Sequence, residues 1–224
     1  MSALDDLVAV MARLRGPGGC PWDAEQTHVS LAPYAIEEAH ELAEAIESGD
    51  DAHLREELGD VLLQVVFHAD IARADGRFDL DDIAATLTEK LRRRHPHVFA
   101  DTAVDGVAEV VANWDAIKRA EKPERDSALD GIPVSLPALA RAEKVLRRAQ
   151  RAGLEPTTET SADGSAPDTE EALGAALLGV VRGAAARGLD AERALRGAIR
   201  QLDGELRARE TARDAAHHPA GPRT

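Results

Sequence analysis

LAPYAIEEAHELAEAIESGDDAHLREELGDVLLQVV, residues 31–66, is the stretch that decides the fold. Its first half reads as a helix from about Leu31 to Ser48 that stops at Gly49. Asp50 or Asp51 then caps a second helix, in which Leu54, Leu58, Val61, Leu62, Val65 and Val66 recur at helical spacing. A break this short turns the two helices into an antiparallel hairpin.

The hairpin carries its carboxylates in register. Glu38 and Glu41 are i, i+3 neighbours on the first helix, and Glu57 and Asp60 repeat that spacing on the second, so each pair shares a face. With the turn centred between Gly49 and Asp50, Glu41 comes level with Glu57 and Glu38 with Asp60, about 12–17 Å from the turn at the helical rise of 1.5 Å per residue. Taken singly, such glutamates are ordinarily solvated. Two pairs at matching heights, on faces that also carry the apolar stripe, are another matter. Four converging carboxylates repel one another unless a cation neutralises them. Ligation by oxygen alone suits the hard cations Mg²⁺ or Mn²⁺. A di-iron centre of the ferritin type needs Glu-x-x-His twice, and only Glu37 and His40 supply it.

Working outward, residues 3–15 form an amphipathic helix closed by Gly16-Pro17-Gly18-Gly19. A helix follows Asp79 and ends before Pro96, and another runs over about residues 106–121. Beyond Ser127 come a helix from Leu136 to Ala152, a flexible linker over 155–168, two helices over roughly 169–187 and 190–210, and a disordered tail over 214–224. The fold class is therefore all-α, with residues 1–125 and 126–213 as its two domains. Aromatics make up only 3% of the chain, so the core must be built of Ala, Leu and Val in closely packed helices.

Charge narrows the function. The formal net charge of -14 repels phosphate backbones and argues against general nucleic-acid binding, though a small phosphorylated substrate is compatible with it once cations screen the carboxylates. A single cysteine, Cys20, forms no internal disulfide, and no apolar run approaches the ~20 residues that span a bilayer. These readings lead us to expect a cytoplasmic protein without a membrane or nucleic-acid partner. A phosphorylated substrate also needs cations to meet it. Lys90 and Arg94 share a helix face with Arg93 beside it, although such residues equally suit a helix C-terminus. Trp114 and Lys118 repeat the i, i+4 spacing, fit to stack a base and hold a phosphate. Trp22, Cys20, His28, His95 and His97 read as structural residues.

Glu37-Glu38-x-x-Glu41 followed by Glu57-x-x-Asp60 resembles the metal motif of the MazG nucleotide pyrophosphohydrolases. Gly19-Cys-Pro-Trp-Asp23, Gln26-Thr-His28, Gln64-Val-Val-Phe-His68, Arg94-His-Pro-His-Val-Phe99 and Trp114-x-x-x-Lys118 extend the likeness over residues 1 to about 153. The resemblance implies an all-α, usually dimeric unit that cleaves nucleoside triphosphates between the α- and β-phosphates, with nucleotide-pool housecleaning as its cellular use. It implies that Glu38, Glu41, Glu57 and Asp60 are metal ligands and that Glu37 is a further ligand or the water-orienting base. Lys90, Arg93, Arg94, Trp114 and Lys118 would serve the substrate. A homodimer is also expected because one acidic hairpin buries little apolar area alone, whereas two complete a four-helix bundle. The alternatives are a relative specialised for one nucleotide, such as dUTP or phosphoribosyl-ATP, and a non-catalytic helical assembly module.

The family often carries two similar domains, and a second, broken copy is traceable. Glu56-Glu-Leu-Gly-Asp-Val-Leu-Leu63 aligns with Glu171-Ala-Leu-Gly-Ala-Ala-Leu-Leu178, which puts Ala172 and Ala175 where Glu57 and Asp60 stand. Further on, Gln201 and Glu205 occupy the positions of Lys90 and Arg94. Residues 126–213 are therefore expected to be a degenerate repeat that serves packing or assembly.

Overall fold

The computed structural model describes residues 2–100, 102–123, 126–154 and 167–217, with side chains as far as residue 210. Every regular element among them is helical: α1 (Ala3–Arg15), α2 (Pro21–Glu25), α3 (His28–Ser48), α4 (Asp51–Ala74), α5 (Leu80–Arg94), α6 (Pro96–Phe99), α7 (Val107–Ala120), α8 (Ala138–Arg151), α9 (Glu170–Ala186) and α10 (Ala191–His217). The protein is all-α. It divides into two compact units, Met1–Lys118 and Arg119–Thr224.

In the first unit, α3 and α4 form the hairpin. Gly49 closes α3 in the left-handed region at φ 74°, a conformation that favours glycine. Asp50 then caps α4 by accepting from the Ala52 and His53 amides at 2.8 and 3.4 Å. The α3 helix begins at His28, three residues before the expected Leu31, because Thr27 and Ser30 bond reciprocally to each other's amides and open the helix ahead of Pro33. The short α2 and α6 helices are additions to the expected set. Each starts on a proline, Pro21 and Pro96, whose missing amide costs nothing at the first helical position.

The core lies toward the end of the hairpin away from its turn. Met11 of α1, Leu31 of α3 and Val66, Phe67 and Ile71 of α4 are buried together, flanked by Leu7, Val8, Leu63 and Leu80. Full burial of each such side chain stabilises the unit by about 1.5–3 kcal/mol. Beneath this core, Asp70 of α4 is 6% exposed and accepts from Arg15 Nε at 2.9 Å and from Arg73 at 2.7 and 3.2 Å. Arg15 reaches further, donating to the Asp23 carbonyl and lying over the Phe67 ring at 5.2 Å.

A tight corner joins α1 to α2. The Cys20 amide bonds the Leu14 carbonyl at 2.7 Å, the Gly19 amide bonds the Gly16 carbonyl at 3.0 Å, and Arg13 holds the Pro17 carbonyl at 2.8 Å. A Cβ at Gly19 would collide with the Leu14 and Arg13 carbonyls, so only glycine fits.

The second unit contains α8, α9 and α10, which pack on one another around Ala149, Val181 and Ala184. Arg148 ties its first segment down by donating to the carbonyls of Ala128 and Asp130 at 3.1 and 2.7 Å. Leu173 and Leu177 of α9 and Leu195, Ile199, Leu202 and Leu206 of α10 remain about half exposed at helical spacing. The tail expected from residue 214 starts inside α10, whose Ala-, Arg- and Glu-rich sequence continues the helix to His217; residues 218–224 fall outside the described set. Of the expected linker, 155–166 also fall outside it, and Asp168 and Thr169 lead into α9, with Thr169 as its cap.

Candidate metal centre

Between the hairpin's turn and the core, α3 and α4 bring their carboxylates together. Glu38, Glu41 and Glu57 each offer an oxygen within 4.8 Å of the others. Asp60 is not part of that three-oxygen group, but its charge acts on Glu38. The Glu38 carboxyl is pushed above its ordinary range, first by burial and then by the charges of Asp60, Glu41, Glu57 and Glu37, with Asp60 the strongest of these neighbours. Of the four expected ligands, Glu38, Glu41 and Glu57 are the three whose oxygens stand together.

Burial sharpens the site. Glu57 is 7% exposed, and its Oε2 is buried with no hydrogen-bond partner among the described residues. A desolvated anionic oxygen with no donor is costly, by about 1–3 kcal/mol or more for a charged group. A cation removes that cost. The donor set is entirely carboxylate oxygen, which is the chemistry of a hard divalent ion. The residues present fit such an ion.

Two further polar groups flank the cluster on α4. His53 Nε2 lies 3.2 Å from Glu57 Oε1, one turn nearer the helix start. On the other side Gln64, one turn beyond Asp60, is buried, and its Oε1 has no hydrogen-bond partner among the described residues. Sequence reading had not singled out His53; the available signal was its i, i+4 spacing to Glu57.

The candidate substrate residues lie on α5 and α7. Lys118 Nζ sits over the Trp114 ring at 3.7 Å, and Trp114 lies 6.2 Å from His95, the residue that closes α5. His97 stands 5.7 Å from His95. Lys90 and Arg94 occupy the last two turns of α5 and are partly buried, while Arg93 beside them is exposed. Arg93, Arg94 and Lys118 all take part in polar or ring interactions.

His28 and His68 form a defined unit of their own. Their Nδ1 atoms are 2.7 Å apart and their rings stack at 5.0 Å, while Arg77 approaches His28 Nε2 at 2.6 Å. A guanidinium only donates, so His28 Nε2 accepts, its Nδ1 carries the proton, and that proton is donated to His68 Nδ1. The His68 pKa is lowered, by burial first and by the coulombic effect of His28 second.

With this geometry in place, comparison with known proteins gives a consistent picture. A family model described as the MazG nucleotide pyrophosphohydrolase domain matches residues 26–99. The chain is 50% identical over 161 residues to the nucleoside triphosphate pyrophosphohydrolase of Escherichia coli strain K12, covering 70% of this chain and 61% of that protein. It is 41% identical over 212 residues to the nucleoside triphosphate pyrophosphohydrolase/pyrophosphatase MazG of Thermotoga maritima, covering 88% of this chain and 82% of that one. A 26.1 kDa protein of Streptomyces cacaoi is 47% identical over 207 residues, covering 92% and 81%. The chain thus spans less than two thirds of the length of the Escherichia coli relative it matches.

Proposed function

This chain belongs to the MazG nucleotide pyrophosphohydrolase family, and on that premise we propose that it hydrolyses nucleoside triphosphates to the monophosphate and pyrophosphate with the help of Mg²⁺ or Mn²⁺. The observation that carries the reading is the cluster of Glu38, Glu41 and Glu57 with its buried, unpartnered oxygen on Glu57. Glu38, Glu41, Glu57 and Asp60 would hold the cation. When bound, it supplies neutralisation of the phosphates, polarisation of the phosphoryl group and a more acidic attacking water. Glu37, whose charge reaches Glu38, is set to orient that water and receive its proton. Lys90, Arg93 and Arg94 carry the positive charge a triphosphate requires, with arginine suited to bidentate contact. The Trp114 ring, with Lys118 on its face, offers a surface for a nucleobase.

Two further elements belong to the proposal. The chain acts as a homodimer, supported by Leu58, Leu62 and Val65 of α4 and Leu87 and Leu91 of α5, which are 37–52% exposed and repeat at helical spacing. The second unit is a degenerate repeat serving stability or assembly, supported by Ala172 and Ala175 on α9 and by its lack of any three-carboxylate cluster among the described residues. No single described helix is long and apolar enough to cross a membrane, and the lone Cys20 accords with a cytoplasmic location.

The test is product analysis by phosphorus NMR on the full chain with a nucleoside triphosphate and Mg²⁺. Monophosphate and pyrophosphate are expected, and release of inorganic phosphate as the first product overturns the reading. Asp60→Asn and Glu41→Gln should each lower kcat by about 10²–10³-fold, the equivalent of several kcal/mol of lost charge stabilisation. Neither should unfold the protein, because each also relieves repulsion within the cluster.

A further inference from the structure

Each carboxylate in the cluster has two oxygens, and a cation held in a fixed geometry needs to find a particular one. For Glu57 the structure distinguishes them. Oε2 is the buried oxygen without a partner, and Oε1 faces His53 Nε2 at 3.2 Å. The Glu57 side chain is 10% exposed, so little water is available to do what His53 does, while the imidazole itself is 42% exposed and anchored on the solvent side.

The placement of His53 is fixed by the backbone before any side chain acts. Asp50 accepts from the amides of Ala52 and His53, which starts α4 at Asp51 and puts His53 in its first turn. Four residues on, Glu57 lies directly above it on the same face. The torsion that orients a glutamate carboxyl is broad and roughly two-fold, so a free Glu57 would present either oxygen to the cluster with little preference. An imidazole against Oε1 removes that freedom.

We propose that His53 is a positioning residue for the cation centre: by engaging Oε1 of Glu57 it turns Oε2 toward the position that Glu38 and Glu41 flank. The inference rests on the reading of that cluster as a divalent-cation site. Groups that hold ligating carboxylates in this way typically change metal affinity 10–100-fold when removed. A merely structural i, i+4 pair on a half-exposed helix face would instead shift stability slightly and leave cation affinity alone.

Mn²⁺ alone is the probe, titrated into the full chain without nucleotide and followed by the loss of the free-ion EPR signal. His53→Ala should raise the Mn²⁺ dissociation constant about 10–100-fold, while His53→Gln, whose amide nitrogen reaches a similar place, should stay within about threefold of the parent. Glu57→Gln should abolish the tight site. With nucleotide and saturating cation, kcat of His53→Ala should return to within about threefold of the parent, with only the cation midpoint displaced. Parent-like affinity in His53→Ala, or a His53→Gln as weak as His53→Ala, overturns the role of His53 and leaves the cation site standing. Absence of Mn²⁺ binding by the parent chain overturns both.

Discussion

Asp70 offers the sharpest test of how the first unit is held together. It is 6% exposed and meets two arginines whose surroundings differ: the Arg15 side chain is 11% exposed and that of Arg73 is 50% exposed. In Asp70→Ala the Arg15 guanidinium is left desolvated without its counter-ion, a change that typically costs about 3–5 kcal/mol. Arg15 keeps the Asp23 carbonyl and the Phe67 ring, which places the expected loss near about 3 kcal/mol, the lower end of that range. Arg73→Ala removes only a solvent-screened partner and should cost less than about 1 kcal/mol. Asp70→Asn, which keeps an acceptor but loses the charge, should fall between, at about 1–3 kcal/mol. Urea unfolding followed by tryptophan fluorescence is the assay, because Trp22 and Trp114 are the chain's two tryptophans and both lie in the Met1–Lys118 unit. At about 1–3 kcal/mol per molar urea, Asp70→Ala should move the midpoint down by about 1–3 M. A loss below about 1 kcal/mol in Asp70→Ala, or an Arg73→Ala as damaging as Asp70→Ala, would refute the assignment of Asp70 as the buried counter-ion of Arg15.

Two further outcomes are expected. Because the folded-state pKa of His68 is lowered from an ordinary value of 6.5, its contribution to stability is present above that pH and is lost as pH falls through the folded-state value; fluorescence-monitored unfolding at pH 7.5 and 5.5 should show a loss on acidification that is smaller in His68→Asn, and an equal loss in both proteins would count against the lowered pKa of His68. Leu62→Lys, alone or with Leu58→Lys, should convert a dimer to a monomer in light scattering at micromolar concentration, since each buries a lysine in the apolar stripe; a parent that is already monomeric and fully active would remove the basis for pairing hairpins.

The hairpin was legible in residues 31–66 because it depends only on local facts: a glycine that ends one helix and an aspartate that caps the next. The expected starts and stops of α1, α4 and α5 rested on the same kind of signal, as did the all-α class. Helix starts were harder to read. The helix expected to end before Pro96 does stop at Arg94, but Pro96 also opens α6 and Pro21 opens α2, and Thr27 and Ser30 begin α3 ahead of the expected Leu31. What the sequence left hidden depends on side chains meeting across distance or choosing a rotamer. Asp70 looks like any helix aspartate until Arg15, 55 residues earlier, is brought against it. The His28–His68–Arg77 chain spans 49 residues and depends on which ring nitrogen carries a proton. His53 sits at a spacing common on solvated helices, and only the orphaned second oxygen of Glu57 marks it out.

The corner between α1 and α2 bears on binding thermodynamics. Its backbone is already tied at Leu14, Gly16 and Pro17, its glycine admits no other residue, and Arg15 clamps it to the start of α2 through the Asp23 carbonyl. A loop so fully spoken for has little disorder left to surrender. Any ligand or subunit that settles against Trp22 or its neighbours therefore meets a surface whose ordering was completed during folding, and the entropic penalty usual for capturing a glycine-rich loop does not arise there. Calorimetry would record that as an association whose unfavourable entropy owes nothing to residues 16–20, however glycine-rich their composition makes them look.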